Sequence, residues 1–197
     1  VSDRMVLTDG ANPVLRAIRT RRVVRAMTDQ PVERTQLEAV LDAARYAPSA
    51  GNRHLHRFVV TDDPAILRVL RMVSPGMVQR PTAAVTICID HPLAADYGFG
   101  PGSTGLFVDV GTIAATMLLA AHAVGLAAGP VTSFSRAAVG VVLRLPEGWS
   151  PELLVCLGHP APDQPPPMGR RPLLSWRDLT RWVATGPADA GAADRPG

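Results

Sequence analysis

Four arginines, Arg19, Arg21, Arg22 and Arg25, precede a turn-rich run of small residues, Ala47-Pro48-Ser49-Ala50-Gly51-Asn52. On a helix, Arg21 and Arg25 share one face. Two guanidinium forks on one face converge on a single anion, and phosphate suits their geometry best. The small residues of the second run let a flat ligand approach the backbone, and Asn52 both donates and accepts hydrogen bonds. A phosphate clamp ahead of a small polar platform suggests a phosphorylated planar cofactor. The alternative is a solvated basic face followed by an ordinary loop.

Other chemistries are thinly supplied. All 20 positive side chains of the 197-residue chain are arginine, a bias that a GC-rich genome produces through codon usage. Without lysine no Schiff base to the chain can form, which excludes pyridoxal-phosphate and class I aldolase chemistry. No Gly-x-Ser-x-Gly elbow or P-loop occurs, and the glycine-rich stretch Gly98-Phe99-Gly100-Pro101-Gly102 lacks a preceding βα context and reads as a flexible loop. His54 and His56 have no carboxylate or cysteine nearby to complete a metal set, so a pair facing solvent or a cofactor edge is expected. Neither a metal nor a catalytic side chain is expected. Redox work remains open, because there the cofactor brings the reactive atoms and the protein binds and orients.

Composition sets the frame. A hydrophobic fraction of 47% over 197 residues is enough for a globular domain with a substantial core. The net charge of +3 is mild and the arginines are scattered, so no nucleic-acid partner is expected. Cys88 and Cys156 lie in apolar, strand-like runs and read as reduced, buried thiols. With no secretory signal visible in Val1 to Gly10, a cytoplasmic location is expected.

The elements that must position these residues alternate helix and strand. Asn12 with Pro13 predicts a helix to about Thr20, and Thr35 with Glu38 predicts a capping box for a second helix. A strand is expected over 57–61, a helix from Asp63-Pro64 and a doubly covered strand over 83–89. Beyond these come an extended piece over 130–132, a helix capped by Ser135 and a strand over 153–157, with a last short helix over 176–183. The run from Leu106 to Gly129 is apolar and long enough to span a bilayer, but Asp109, His122 and its glycines favour a buried core helix. A helix apolar all round needs cover, part of which a second copy of the chain could give. One α+β domain over 1–183 is expected, with 184–197 a flexible tail.

Four features in order carry a resemblance to the FMN-dependent nitroreductase family, from about Pro13 to Trp182. They are Arg21-Arg22-Val23-Val24-Arg25, then Ala47 to Asn52 leading into a strand, then Asp109 to Gly125 running into Gly129-Pro130, and finally Leu157-Gly158-His159-Pro160 followed by Arg170-Arg171-Pro172-Leu173. The resemblance implies a nitroreductase-like mixed central sheet flanked by helices, in an intertwined homodimer with FMN at the subunit interface. It implies that Arg21, Arg22, Val23 and Arg25 bind the ribityl-phosphate side of the flavin, with Arg170 or Arg171 closing on the phosphate. Pro48, Ser49, Ala50 and Asn52 would approach the ring from the partner subunit, and the backbone of Pro130, Val131 and Thr132 would lie along its other face. NADPH or NADH would deliver a hydride to FMN and leave, and a small nitroaromatic, quinone or enone would then take the electrons.

Several residues depart from the family pattern. Val23 stands where the family usually has Ser, and His54-Leu55-His56 where Gln-Pro-Trp is common. Thr132-Ser133 replaces the Glu-Gly of some bacterial members, and Arg170 or Arg171 replaces a frequent lysine. Two other readings stay open: a flavin enzyme that oxidises a metabolite, and a non-catalytic protein that binds or stores flavin.

Overall fold

A computed structural model describes residues 12–164 and 175–183. The chain forms two compact units, Val1–Pro165 and Pro166–Gly197. In the second, Ser175 caps a single 3₁₀ turn, Trp176–Leu179, by accepting from Arg177 N at 3.1 Å. The first unit holds every candidate residue except Arg170 and Arg171, which lie outside the described residues.

Helix α1 (Pro13–Thr20) starts as its sequence predicts, with the Asn12 side chain accepting from Val14 N and Leu15 N and Pro13 at the first helical position. Helix α2 (Arg34–Ala44) starts earlier than the Thr35–Glu38 spacing predicts. Glu33 is its cap, and Glu33 N donates to Gln36 Oε1 at 3.2 Å. Glu38 is engaged elsewhere, paired with Arg34 one turn away at 3.0 Å. Strand β1 (His56–Thr61), helix α3 (Pro64–Met72, capped by Asp63) and strand β2 (Ala83–Asp90) follow the expected order. The short helix α4 (His91–Asp96) is an addition, with Asp90 accepting from Leu93 N and Pro92 in its first turn.

The long apolar run divides in two. Helix α5 (Thr104–Ala123) ends where Gly125 takes φ 78°, with Gly125 N bonded to His122 O at 3.2 Å and Leu126 N to Ala121 O at 2.8 Å. These bonds form a Schellman turn, which a residue without Cβ closes at no steric cost. The remainder of the run becomes strand β3 (Ala127–Val131). Helix α6 (Arg136–Val142, capped by Ser135) and strand β4 (Trp149–Gly158) complete the unit. Helix α5 is long and apolar enough to cross a membrane by length and composition, yet Ile113 and Met117 are fully buried in the core.

The sheet has the order β1-β2-β4-β3, and among the described residues every neighbouring pair is antiparallel. The α+β class and nitroreductase-like architecture stand, with no parallel pairing among these four strands. Strand β4 shows why both faces need cover. Leu153, Val155 and Leu157 point into one core with α2 and α5, and Leu154 and Cys156 into a second with α3 and α6. Alternation with period two thus builds two apolar layers from one strand.

Candidate functional site

The arginine segment is extended, which corrects the helical placement. Helix α1 stops at Thr20, and Arg21 caps it with ψ 134° while its N–H still bonds to Ala17 O. From there the chain runs along the sheet's end: Val24 N donates to Ala128 O at 3.1 Å, Thr28 N to His159 O at 2.9 Å and Ala161 N to Ala26 O at 3.0 Å. Met27 forms a β-bridge with Pro160. β-Branched Val23 and Val24 favour this conformation. Arg21 and Arg25 lack an ion-pair partner among the described residues, and Arg22 and Val23 are exposed beside them.

The segment runs beside the end of β3. Gly129 is buried, and a Cβ there would lie 2.9 Å from Gln79 Nε2 and 3.5 Å from Val24 O. A side chain at this position would require the Gln79 amide to shift. Pro130 and Thr132 are exposed and Val131 is buried, so the strand presents alternate residues to solvent. Ser133 O accepts from Gly76 N at 2.9 Å and fixes the loop that follows.

The Pro48–Asn52 turn is held elsewhere, on the N-terminal half of α5. Ala50 N lies 3.0 Å from both carboxylate oxygens of Asp109, a buried residue. The Thr112 hydroxyl, one turn on, lies 3.0 Å from Pro48 O and shares its proton with Asp109 O. Gly105 lies on the same face, where a Cβ would just touch Ala50 Cβ at 3.7 Å. Gly51, Asn52 and His54 all have positive φ, 57°, 55° and 52°. Asn52 and His54 pay a backbone penalty for this, and the α5 contacts together with His54 N donating to Ser49 Oγ at 3.3 Å hold the shape.

One chain therefore brings the arginine segment, through Val24, beside Ala128 and Gly129 of β3, whereas the Pro48–Asn52 turn is anchored on the N-terminal half of α5. The arginine segment begins where Thr20 Oγ1 meets His122 Nε2 at 3.2 Å, near the C-terminal end of α5. The turn is fixed at Asp109, thirteen residues or about 20 Å back along the same helix.

The histidine pair differs from expectation. His54 precedes β1, and His56 is buried, edge-on to His54 at 5.9 Å and tilted against Phe58 at 5.2 Å. Burial, with the neighbouring His54 and Arg57 charges, pushes the His56 pKa down to about 4, so the ring is neutral near pH 7. Its Nδ1 has no hydrogen-bond partner. No cluster of three His, Cys, Asp or Glu able to hold a metal occurs among the described residues. Cys88 and Cys156 are free and buried, their thiols pushed up to about 12 chiefly by burial.

Comparison with known proteins places this architecture. The sequence model of the nitroreductase family matches residues 18–88 and 77–159. The chain belongs to the nitroreductase family. A Thermus thermophilus protein named NADH dehydrogenase is 30% identical over 190 residues, spanning 80% of this chain and 92% of its own. A nitroreductase family protein from Streptococcus pneumoniae superposes with a TM-score of 0.75 at 18% identity, over 86% of this chain and all of its own. An FMN-dependent nitroreductase from Clostridium difficile gives a TM-score of 0.64 at 22% identity, over 75% of this chain and 87% of its own.

Family membership makes the chain an oxidoreductase and leaves its own residues to explain. Sequence reasoning missed Asp109 and Thr112 as the anchors of the turn, because Asp109 reads as an interruption of an apolar helix. Their spacing of three, with Gly105 one turn earlier, was the available signal for a polar face receiving another segment. Gln79 carried no such signal. It is buried, and its amide donates to Gly129 O at 3.4 Å across 50 residues of sequence.

Proposed function

We propose that the chain is an FMN-dependent oxidoreductase that passes a hydride from NADH or NADPH to a small electron-poor acceptor of nitroaromatic, quinone or enone type. Arg21, Arg22 and Arg25 would hold the phosphate side of FMN, and the Pro130–Thr132 backbone would lie along the ring. The donor set fits: Arg21 and Arg25 have no ion-pair partner among the described residues, Arg22 and Arg25 are exposed, and Pro130 and Thr132 at the end of β3 are exposed. Bound FMN would supply the hydride chemistry. The chain's residues bind, orient and keep positive charge beside the cofactor.

The observation that carries this proposal is the separation of the two halves of the site along α5. Pro48, Ser49, Ala50 and Asn52 cannot complete the pocket beside Arg21 of the same chain, so a partner's turn would do so in a homodimer. Phe107 and Val108, 42% and 56% exposed, with Gly111 and Ala115 also exposed, leave an apolar face on α5 that a second copy would cover. A two-fold axis there satisfies both copies at once. The buried, reduced thiols fit a cytoplasmic setting.

The test is the visible spectrum of protein purified without added flavin, followed by anaerobic NADPH and NADH. Flavin bands near roughly 450 nm that bleach, in a species of twice the chain mass, are the expected result. Bands that persist with both donors but bleach with an organic metabolite favour a metabolite-oxidising enzyme. Bands that bleach with nothing favour a flavin-holding role, and a colourless protein that takes up no FMN refutes the proposal.

A further inference from the structure

A second cleft, of about 430 Å³, opens away from every residue assigned above to flavin. One wall is a face of α3, where Pro64, Leu67, Arg68 and Arg71 follow helical spacing. Arg80, Pro81 and Thr82, Asp29 and Pro31, and Asp62 complete the lining. The Arg80–Thr82 segment is held in place from both sides. The Thr82 hydroxyl donates to Gln30 O at 3.1 Å, and Thr82 N to Leu157 O at 3.1 Å. Three prolines with fixed φ line the cleft, so little order remains to be gained on binding.

The charges are unusual for a surface groove. Arg68 and Arg71 on α3 and Arg80 on the segment before β2 line the same cleft, and none forms an ion pair among the described residues. Asp29 and Asp62 are the carboxylates in the same lining, which leaves the cleft net positive. Guanidinium forks from two segments suit the several oxygens of a phosphate better than a single carboxylate. The carboxylates can accept from hydroxyl or amino donors, and Leu67 with the prolines offers an apolar wall for the organic body. The volume lies in the range of small-molecule sites.

We propose that this cleft binds a small phosphomonoester whose organic part carries hydroxyl or amino groups, such as a nucleoside or sugar monophosphate. The phosphate lies among Arg68, Arg71 and Arg80, with the donor groups toward Asp29 and Asp62. This site is independent of the flavin proposal.

The probe is 5′-AMP, titrated calorimetrically into protein saturated with FMN, so that any flavin phosphate site is already occupied. If the chain takes up no FMN, the same titration is run on the protein as purified, which separates the two proposals. Adenosine should bind at least about tenfold more weakly than 5′-AMP, and inorganic phosphate should compete with 5′-AMP. R71Q and R80Q should each weaken 5′-AMP about tenfold or more while leaving FMN content unchanged. D62N should strengthen inorganic phosphate binding, a gain that misfolding cannot imitate. The proposal is overturned if 5′-AMP does not bind, if adenosine binds equally well, if R71Q and R80Q leave affinity unaltered, or if D62N fails to tighten phosphate.

Discussion

Replacing Asp109 by Ala should free the Pro48–Asn52 turn from α5. Ala50 N sits 3.0 Å from both oxygens of this buried carboxylate, and a hydrogen bond to a charged group contributes about 1.5–3 kcal/mol. The bond also holds a segment in which Asn52 and His54 adopt positive φ, at a cost of about 1 kcal/mol or more apiece. Once released, the turn can relax that strain, so part of the lost bond energy is recovered. The net expectation is a loss of about 1 kcal/mol, read as a lower urea midpoint at unchanged slope. Asp109→Asn keeps one oxygen acceptor and should lose about half as much. Hydrogen exchange gives the local readout, with the Ala50 amide losing its protection in the Ala variant while amides of β2 and β4 keep theirs. If the proposed dimer site uses this turn, FMN affinity falls as well. An unchanged urea midpoint, or an Ala50 amide as protected as before, would refute the reasoning.

Gly129→Ala places a Cβ 2.9 Å from Gln79 Nε2, so it should destabilise by about 1–3 kcal/mol; a double change with Gln79→Ala should recover part of that loss in thermal melts. Because the His56 pKa is pushed below its ordinary value to about 4, the unfolded chain binds the extra proton first as pH falls. Stability should therefore be fully present above pH 6.5 and decline between 6.5 and about 4, approaching about 1.4 kcal/mol per pH unit, a slope that His56→Gln removes in urea titrations run across that window. Cys88 and Cys156, with thiols pushed up to about 12, should resist iodoacetamide at pH 8 in the folded protein and react after unfolding, as mass spectrometry would show.

The order of elements was legible because local chemistry governs it. Asn12-Pro13, Asp63-Pro64 and Ser135 mark helix starts through the same side-chain and backbone contacts in the sequence and in the fold. The unbroken apolar run of β2 announces a strand covered on both faces. Where two local devices competed, sequence alone misplaced the boundary. Glu38 could cap α2 or pair with Arg34, and only the folded geometry chose the pair. The long apolar run gave no internal sign strong enough to separate α5 from β3, although Gly125 marks the point where the Schellman turn closes.

The chemistry divides in the same way. Residue types settled what the chain lacks, a lysine for a Schiff base and motifs for hydrolysis, and they marked the arginines and the small-residue turn as candidate binding elements. Tertiary structure decided that the arginines lie on an extended segment beside Gly129, and that the turn sits about 20 Å along α5 from them. It also brought Arg80 into the lining of one cleft with Arg68 and Arg71, which no spacing in the sequence announces. The physical reason is range. Caps, turns and periodicity act over a few residues, whereas the contacts of Asp109 with Ala50 and Gln79 with Gly129 join positions 59 and 50 residues apart. Only the packing of sheet against helices brings those pairs together.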